Sequence, residues 1–231
     1  MSKPILLVHG AWSASWAWGF VAAELEKHGI TPHTIDMPSS NDAGATLSAD
    51  ADSVRAKLAE IGEPTVLLGH SYAGMTITEA SAGNANVAHL VYLTAALPQD
   101  GDSVGSLMGS DSTPSNIGSA IRMNDDGTST VDPQGAREIL FNDATDEQVN
   151  PILPALGPHT MGTFGEAAKG LGWKEHPSTY ILTQDDLIFS PELQRSMATG
   201  GNANIVEVPG GHIPQLLQAE KIAGVLSELA A

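Results

Sequence analysis

The chain has 231 residues, 42% of them apolar, which suits one sizeable core and is short for two domains. Its 27 acidic residues against 10 basic ones give a formal charge of −17, a balance that repels phosphate backbones and anionic lipid and argues against nucleic acid or membrane as a partner. With no cysteine, disulfides, thiolate metal sites and a cysteine nucleophile are excluded together.

The longest apolar runs, such as Ile5 to Val8 and Val66 to Leu68, fall far short of the roughly 18 residues of a membrane span. Met1-Ser2-Lys3-Pro4 leads into the first run without a basic flank or a long apolar stretch, so a cytoplasmic location is expected.

In chain order, Ile5–Val8 reads as a strand that ends in the turn His9-Gly10-Ala11-Trp12. Trp16–His28 carries apolar residues at helical spacing and stops at Gly29; Thr31–Ile35 is the second strand and Ser48–Ile61 the next helix, closed by Gly62. Thr65–Leu68, the helix Gly74–Ala82 and the strand Val87–Leu93 follow. The rhythm breaks between Leu97 and Gly172, where Asp, Gly, Ser and Pro are abundant and only short helical patterns stand out, at Gln134–Asn142 and Asp146–Leu153. It then resumes with a strand at Thr179–Thr183, a helix at Pro191–Thr199, a strand at Asn204–Val208 and a helix at Gln215–Leu229. Strand–helix alternation predicts an α/β fold with a six-stranded, doubly wound parallel sheet. The break reads as an insertion: residues 1–96 and 173–231 form the core, and 97–172 a cap over the carboxyl edge of the sheet, where such folds bind ligands.

Val66-Leu67-Leu68-Gly69-His70-Ser71-Tyr72-Ala73-Gly74 runs an apolar strand into a turn of small residues with one serine at its apex. A serine held on a strained strand-to-helix turn needs tiny neighbours two positions to either side, and Gly69 and Ala73 meet that need. The strict pattern has glycine where Ala73 stands; here Gly74 follows it. Ser71 is therefore the candidate nucleophile. A hydroxyl needs an imidazole to take its proton and a carboxylate to hold the imidazole in the right tautomer. His212, in Pro209-Gly210-Gly211-His212 after the last strand, is the candidate base. Asp185 and Asp186 both follow the strand Thr179–Thr183; Asp186 is preferred, and Asp185 is the competitor whose alternative role is turn formation. Negative charge developing on the substrate needs aimed donors, here the backbone N–H groups of Ala11 and Tyr72.

His9 and His70 read as structural, and His28, His33, His89, His159 and His176 lack the spacing of a metal site, so none is expected. Trp12, Trp16 and Trp18 are expected to pack the first helix, with only Trp12 near enough to line a substrate pocket.

Taken together, Val8-His9-Gly10-Ala11-Trp12 with Trp16 and Trp18, the serine turn, Thr183-Gln184-Asp185-Asp186-Leu187-Ile188-Phe189 with Pro191-Glu192-Leu193-Gln194, and Gly210-Gly211-His212 resemble the α/β-hydrolase superfamily. The likeness spans nearly the whole chain and is to the small esterase branch of plant methylesterases, hydroxynitrile lyases and bacterial relatives. It implies an α/β-hydrolase fold in the chain order Ser, Asp, His, with the aspartate at Asp186 by alignment on an Asp-x-Ile-Phe pattern. It also implies no cofactor, and hydrolysis of small, largely apolar carboxylic esters through an acyl-serine. The family's lyases use a threonine beside the oxyanion turn and a lysine after the histidine; this chain has Gly10 and Ile213 there, which disfavours cyanide release. The alternatives are a lyase or cofactor-free perhydrolase on the same scaffold, or a slow-turnover small-molecule binding protein.

Overall fold

The structure is a computed structural model that describes residues 2–231. The first four strands are β1 (Ile5–Val8), β2 (Pro32–Ile35), β3 (Thr65–His70) and β4 (Val87–Leu93), interleaved with helices α1 (Gly19–Lys27), α2 (Leu47–Ile61) and α3 (Ala73–Ser81). Between residues 97 and 172 the elements are short: α4 (Val104–Ser110), β5 (Ile121–Met123), β6 (Thr128–Val131), α5 (Pro133–Gly135), α6 (Asp146–Val149) and β7 (His159–Thr160). The chain closes with β8 (Ser178–Thr183), α7 (Pro191–Gly200), β9 (Asn204–Val208), α8 (Pro214–Leu217) and α9 (Ala219–Ala230).

Six strands form one parallel sheet in the order β2-β1-β3-β4-β8-β9. β1, β3 and β8 are buried along their whole length, as strands covered on both faces must be. Alternation along β1 sorts its side chains between two cores: Ile5 and Leu7 pack with Val21 and Leu25 of α1 and Ile222 and Leu226 of α9. Leu6 and Val8 pack with Val54 and Leu58 of α2 and Ile77 of α3. Among the described residues no helix is long and apolar enough to cross a membrane.

Two helices read as continuous in the sequence are broken. The first begins as a separate 3-10 turn, Ser15–Trp18, ahead of α1, and the last splits at Gln218 into α8 and α9. The antiparallel sheet β5-β6-β7 was not foreseen. Its strands have two to four residues, too few to show a period of two, and the one local signal is Asp126-Gly127, with Gly127 at φ +89° in the β5–β6 turn.

Candidate active site

In a parallel sheet all carboxyl ends lie along one edge, so residues far apart in sequence meet just beyond them. β3 runs two residues farther than expected, to His70, which makes Ser71 the first residue off the strand. Ser71 has φ +55°, a conformation that side-chain-bearing residues seldom adopt. The turn is pinned by Gly74 N–H and Ala96 N–H, which donate to the Ser71 carbonyl at 3.1 and 3.0 Å, and by Ser71 N–H to the Leu93 carbonyl at 3.2 Å. A Cβ at Gly69 would come within 2.6 Å of the Ala73 carbonyl oxygen, and one at Gly74 would collide with the Ala96 carbonyl. Gly74, packed on the end of β4, supplies the second close approach, which explains why position 73 tolerates a methyl group.

His212, four residues beyond β9, brings Nε2 to 2.9 Å from Ser71 Oγ, and its Nδ1 lies 2.9 Å from Asp186 Oδ2. Asp186 is buried and its Oδ1 accepts from Ile188 N–H at 2.7 Å and Phe189 N–H at 3.3 Å. Its carboxylate is thus saturated by donors and aimed at the imidazole. Asp185 is exposed, and its backbone N–H donates to the Gly210 carbonyl, so of the two candidates only Asp186 joins the cluster. Gln194 on α7 completes the acid's setting: its Nε2 donates to the Phe189 carbonyl at 2.9 Å and reaches Asp186 Oδ2 at 3.3 Å.

His70 lies nearer the centre than a purely structural residue. It lines the cleft, and its Nε2–H donates to the His212 carbonyl at 2.8 Å, a carbonyl also reached by Thr94 Oγ1 at 3.2 Å. Burial, reinforced by the neighbouring His212, holds the His70 imidazole well below its usual range and therefore neutral. His9 is structural as expected: buried, it accepts the Met37 N–H on Nε2 at 3.1 Å, while Nδ1–H donates to the Gly10 carbonyl at 2.8 Å.

Ala11, Trp12 and Tyr72 all border the same cleft as Ser71. Gly10 is fixed by crowding, since a Cβ there would stand 2.9 Å from both His70 Nδ1 and Ser71 Cβ. Trp12 has φ +56°, and its Nε1–H donates to Ser129 Oγ at 2.9 Å, tying the turn to β6. The Tyr72 hydroxyl donates to Asp50 Oδ2 at 2.8 Å, and Ser39 N–H donates to Asp50 Oδ1 at 2.9 Å. Burial pushes the Asp50 carboxyl up and the Tyr72 phenol well up.

The lining of the cleft is largely apolar and includes Met108, Ile117, Leu140, Phe141 and Phe189. Trp16 lines it as well as Trp12, which corrects the expectation of Trp12 alone: Trp16 lies on the 3-10 turn that precedes α1, whereas Trp18 is fully buried against the sheet with the α1 and α9 core.

Sequence reasoning missed a clasp made from residues 142 and 143. Asn142 Nδ2 donates to the Asp185 carbonyl at 2.8 Å, and Gly211 N–H donates to Asp143 Oδ2 at 2.9 Å, so one pair of side chains holds both the acid loop and the histidine loop. Nothing local marks it, because its partners lie about 43 and 68 positions away.

A profile of the alpha/beta hydrolase family matches residues 5–225. An alpha/beta hydrolase of Aspergillus novofumigatus, nvfD, is 29% identical over 247 residues, covering 100% of this chain and 98% of the relative. A putative chloroplastic methylesterase of Arabidopsis thaliana, methylesterase 12, is 21% identical, covering 99% of this chain and 72% of its own. Among solved structures, a pyrethroid hydrolase from Sphingobium faniae superposes with a TM-score of 0.87 at 24% identity, covering 100% of this chain and 98% of the other.

Proposed function

The chain belongs to the alpha/beta hydrolase family, and on that premise we propose that it is a serine esterase that cleaves small carboxylic esters through an acyl-enzyme. The observation that carries the reading is the pair of 2.9 Å contacts linking Ser71 Oγ, His212 and Asp186 in one line. Ser71 Oγ attacks the acyl carbon while His212 Nε2 accepts its proton. Asp186 keeps the proton on Nδ1 and stabilises the imidazolium that forms. The N–H groups of Ala11 and Tyr72 receive the charge that develops on the carbonyl oxygen. As the tetrahedral adduct collapses, His212 returns its proton to the departing alkoxide; a water then repeats the sequence on the acyl-serine and releases the acid.

Residues 97–172 serve as the cap in this reading and Trp12 as part of the substrate wall. The apolar lining favours an acyl or alcohol group that is itself largely apolar. The crowding at Gly10 argues against a threonine-assisted lyase, because a side chain there would displace His70 or Ser71. Replacement of Ser71 by alanine is expected to lower kcat/KM for a p-nitrophenyl short-chain ester by at least about a thousandfold, with an unchanged far-UV circular dichroism spectrum. A fluorophosphonate should label Ser71 in the unmodified protein. Turnover retained without Ser71 would sink the mechanism.

A further inference from the structure

His212 hangs from β9, an edge strand that is largely exposed, by a tether that includes Gly210, at φ +113°, and Gly211. Glycines give such a tether freedom. The Asp143 contact at Gly211 N–H holds it one residue short of the imidazole.

The carbonyl of His212 itself is met by two side chains from the central strands. His70, the last residue of β3, donates Nε2–H to it at 2.8 Å, and Thr94, the first residue beyond β4, donates Oγ1–H at 3.2 Å. β3 and β4 are paired neighbours, and both side chains are buried. The two donors take up both lone pairs of one oxygen.

Thr94 has φ +42°, a genuine outlier for a β-branched residue, and its N–H donates to the Ile181 carbonyl at 3.0 Å. Glycine would take that backbone without strain, so the conformation gives no reason for a threonine; the hydroxyl does. His70 is fixed from several sides. Its proton must sit on Nε2, because the His212 carbonyl can only accept, and the neutral ring then accepts on Nδ1 from the Gln215 amide at 3.3 Å. Gln215 lies three residues beyond His212, so His70 grips the same segment at two points. Trp18 stands edge-on to the ring at 6.4 Å, and the close approach of Gly10 limits movement on the Nδ1 side.

We infer that His70 and Thr94 are positioning residues for the reaction, which clamp the His212 carbonyl and so keep its ring in line with both Ser71 Oγ and Asp186. A ring with a partner at 2.9 Å on each nitrogen tolerates little displacement of its own backbone. The inference rests on the reading of His212 as the base, and the test separates the two.

The test is steady-state kinetics on a p-nitrophenyl short-chain ester, with urea unfolding in parallel. Thr94→Val keeps the volume, the branching and the strain and removes only the donor. Its kcat is expected to fall by about tenfold, with KM within about twofold and the urea midpoint little changed. Thr94→Ser, which restores a hydroxyl, should recover most of that loss. His70→Leu should lower kcat by about a hundredfold, and His70→Gln, whose amide can reach the same carbonyl, by less than about tenfold. Fluorophosphonate labelling of Ser71 should slow in step with kcat, because it uses the same base. Should His70→Leu fail to fold, the Thr94 pair decides alone. Unchanged kcat in Thr94→Val, equal losses in Thr94→Val and Thr94→Ser, or losses that only track the urea midpoint overturn the inference; ester turnover by the unmodified protein then leaves the esterase reading in place. Neither turnover nor labelling in the unmodified protein would remove the esterase reading and the clamp with it.

Discussion

The carboxyl edge of the sheet and residues 97–172 enclose the same cleft by different physical means. At the edge, Ser71, Asp186 and His212 stand one, three and four residues beyond the ends of β3, β8 and β9, so their positions are inherited from one parallel backbone ladder, buried along β3 and β8 and largely exposed along the edge strand β9. Residues 97–172 have no strand longer than four residues. They are held to the edge by side-chain clasps: Asp111 accepts from Ser190 N–H and Oγ–H, Asp143 from Gly211 N–H, and Trp12 donates to Ser129. On the reading proposed above, the chemistry rests on the part with the most regular hydrogen bonding, while Met108, Ile117, Leu140 and Phe141 of the apolar lining rest on the part with the least.

The comparison breaks first if the edge does not carry the reaction. Asp186→Asn keeps the shape of the side chain yet turns an acceptor toward a donor, so His212 Nδ1–H loses its carboxylate and the imidazole can adopt the wrong tautomer. By analogy with serine proteases, kcat is expected to fall by about 10³ to 10⁴-fold, with KM for a p-nitrophenyl ester changed little. Asp185→Asn, on the exposed neighbour, should leave kcat within about twofold, since surface substitutions of this kind seldom matter. A large loss from Asp185 and none from Asp186 in steady-state kinetics would reverse the assignment.

The clasp sharpens the comparison because it joins the two regions. Asp143→Ala leaves Gly211 N–H without its acceptor directly beside His212. A displacement of the imidazole of about 1 Å can cost roughly a hundredfold, so kcat is expected to fall by about ten- to a hundredfold with the secondary structure intact. Unchanged kcat, measured with the same ester, would mean that the histidine loop is held by the sheet and His70 alone.

The same contrast decides what could be read from the sequence. The edge was legible because its residues follow apolar strands: β1, β4, β8 and β9 fall within a residue or so of their expected bounds, and strand ends are where side chains converge. Asp186 against Asp185 was ambiguous from spacing, because both follow β8, and what separates them is three-dimensional: Asp186 is buried and meets His212 Nδ1, whereas Asp185 is exposed. His70 read as bystander because adjacency to Ser71 says nothing about a contact with the carbonyl of residue 212. The 97–172 segment was legible only as an interruption: its strands are too short for periodicity, and its clasps link residues 43 to 117 positions apart. Trp16 was assigned to packing because a 3-10 turn offset from α1 has no sequence signature distinct from the first turn of the helix itself.

The smallest effect tests how the two regions respond to acid. His159 of β7 is buried against Tyr72 at a ring distance of 4.7 Å, and burial pushes its imidazole down to about 3. Its tautomer is fixed: Thr163 Oγ1–H donates to the Thr160 carbonyl, so His159 Nε2–H must donate to Thr163 Oγ1, leaving Nδ1 buried without a partner. A proton on Nδ1 would therefore find no acceptor. In the unfolded chain the ring takes a proton near pH 6.5. The stability that His159 contributes is thus complete above about pH 6.5 and drains as pH falls toward 3, at about 1.4 kcal/mol per pH unit once the unfolded ring is fully charged. His9 and His70 are also pushed down by burial and act in the same direction, whereas Asp50, pushed up, opposes them. The difference between two proteins isolates the one ring. His159→Gln keeps a donor for Thr163 and removes the titrating group, so urea unfolding at pH 7, 6 and 5 should give a shallower loss of stability than in the parent, by about 1 kcal/mol per unit over the lower interval. Parallel curves would mean that His159 already meets solvent in the folded state and that this seam between the two regions is looser than the buried contacts imply.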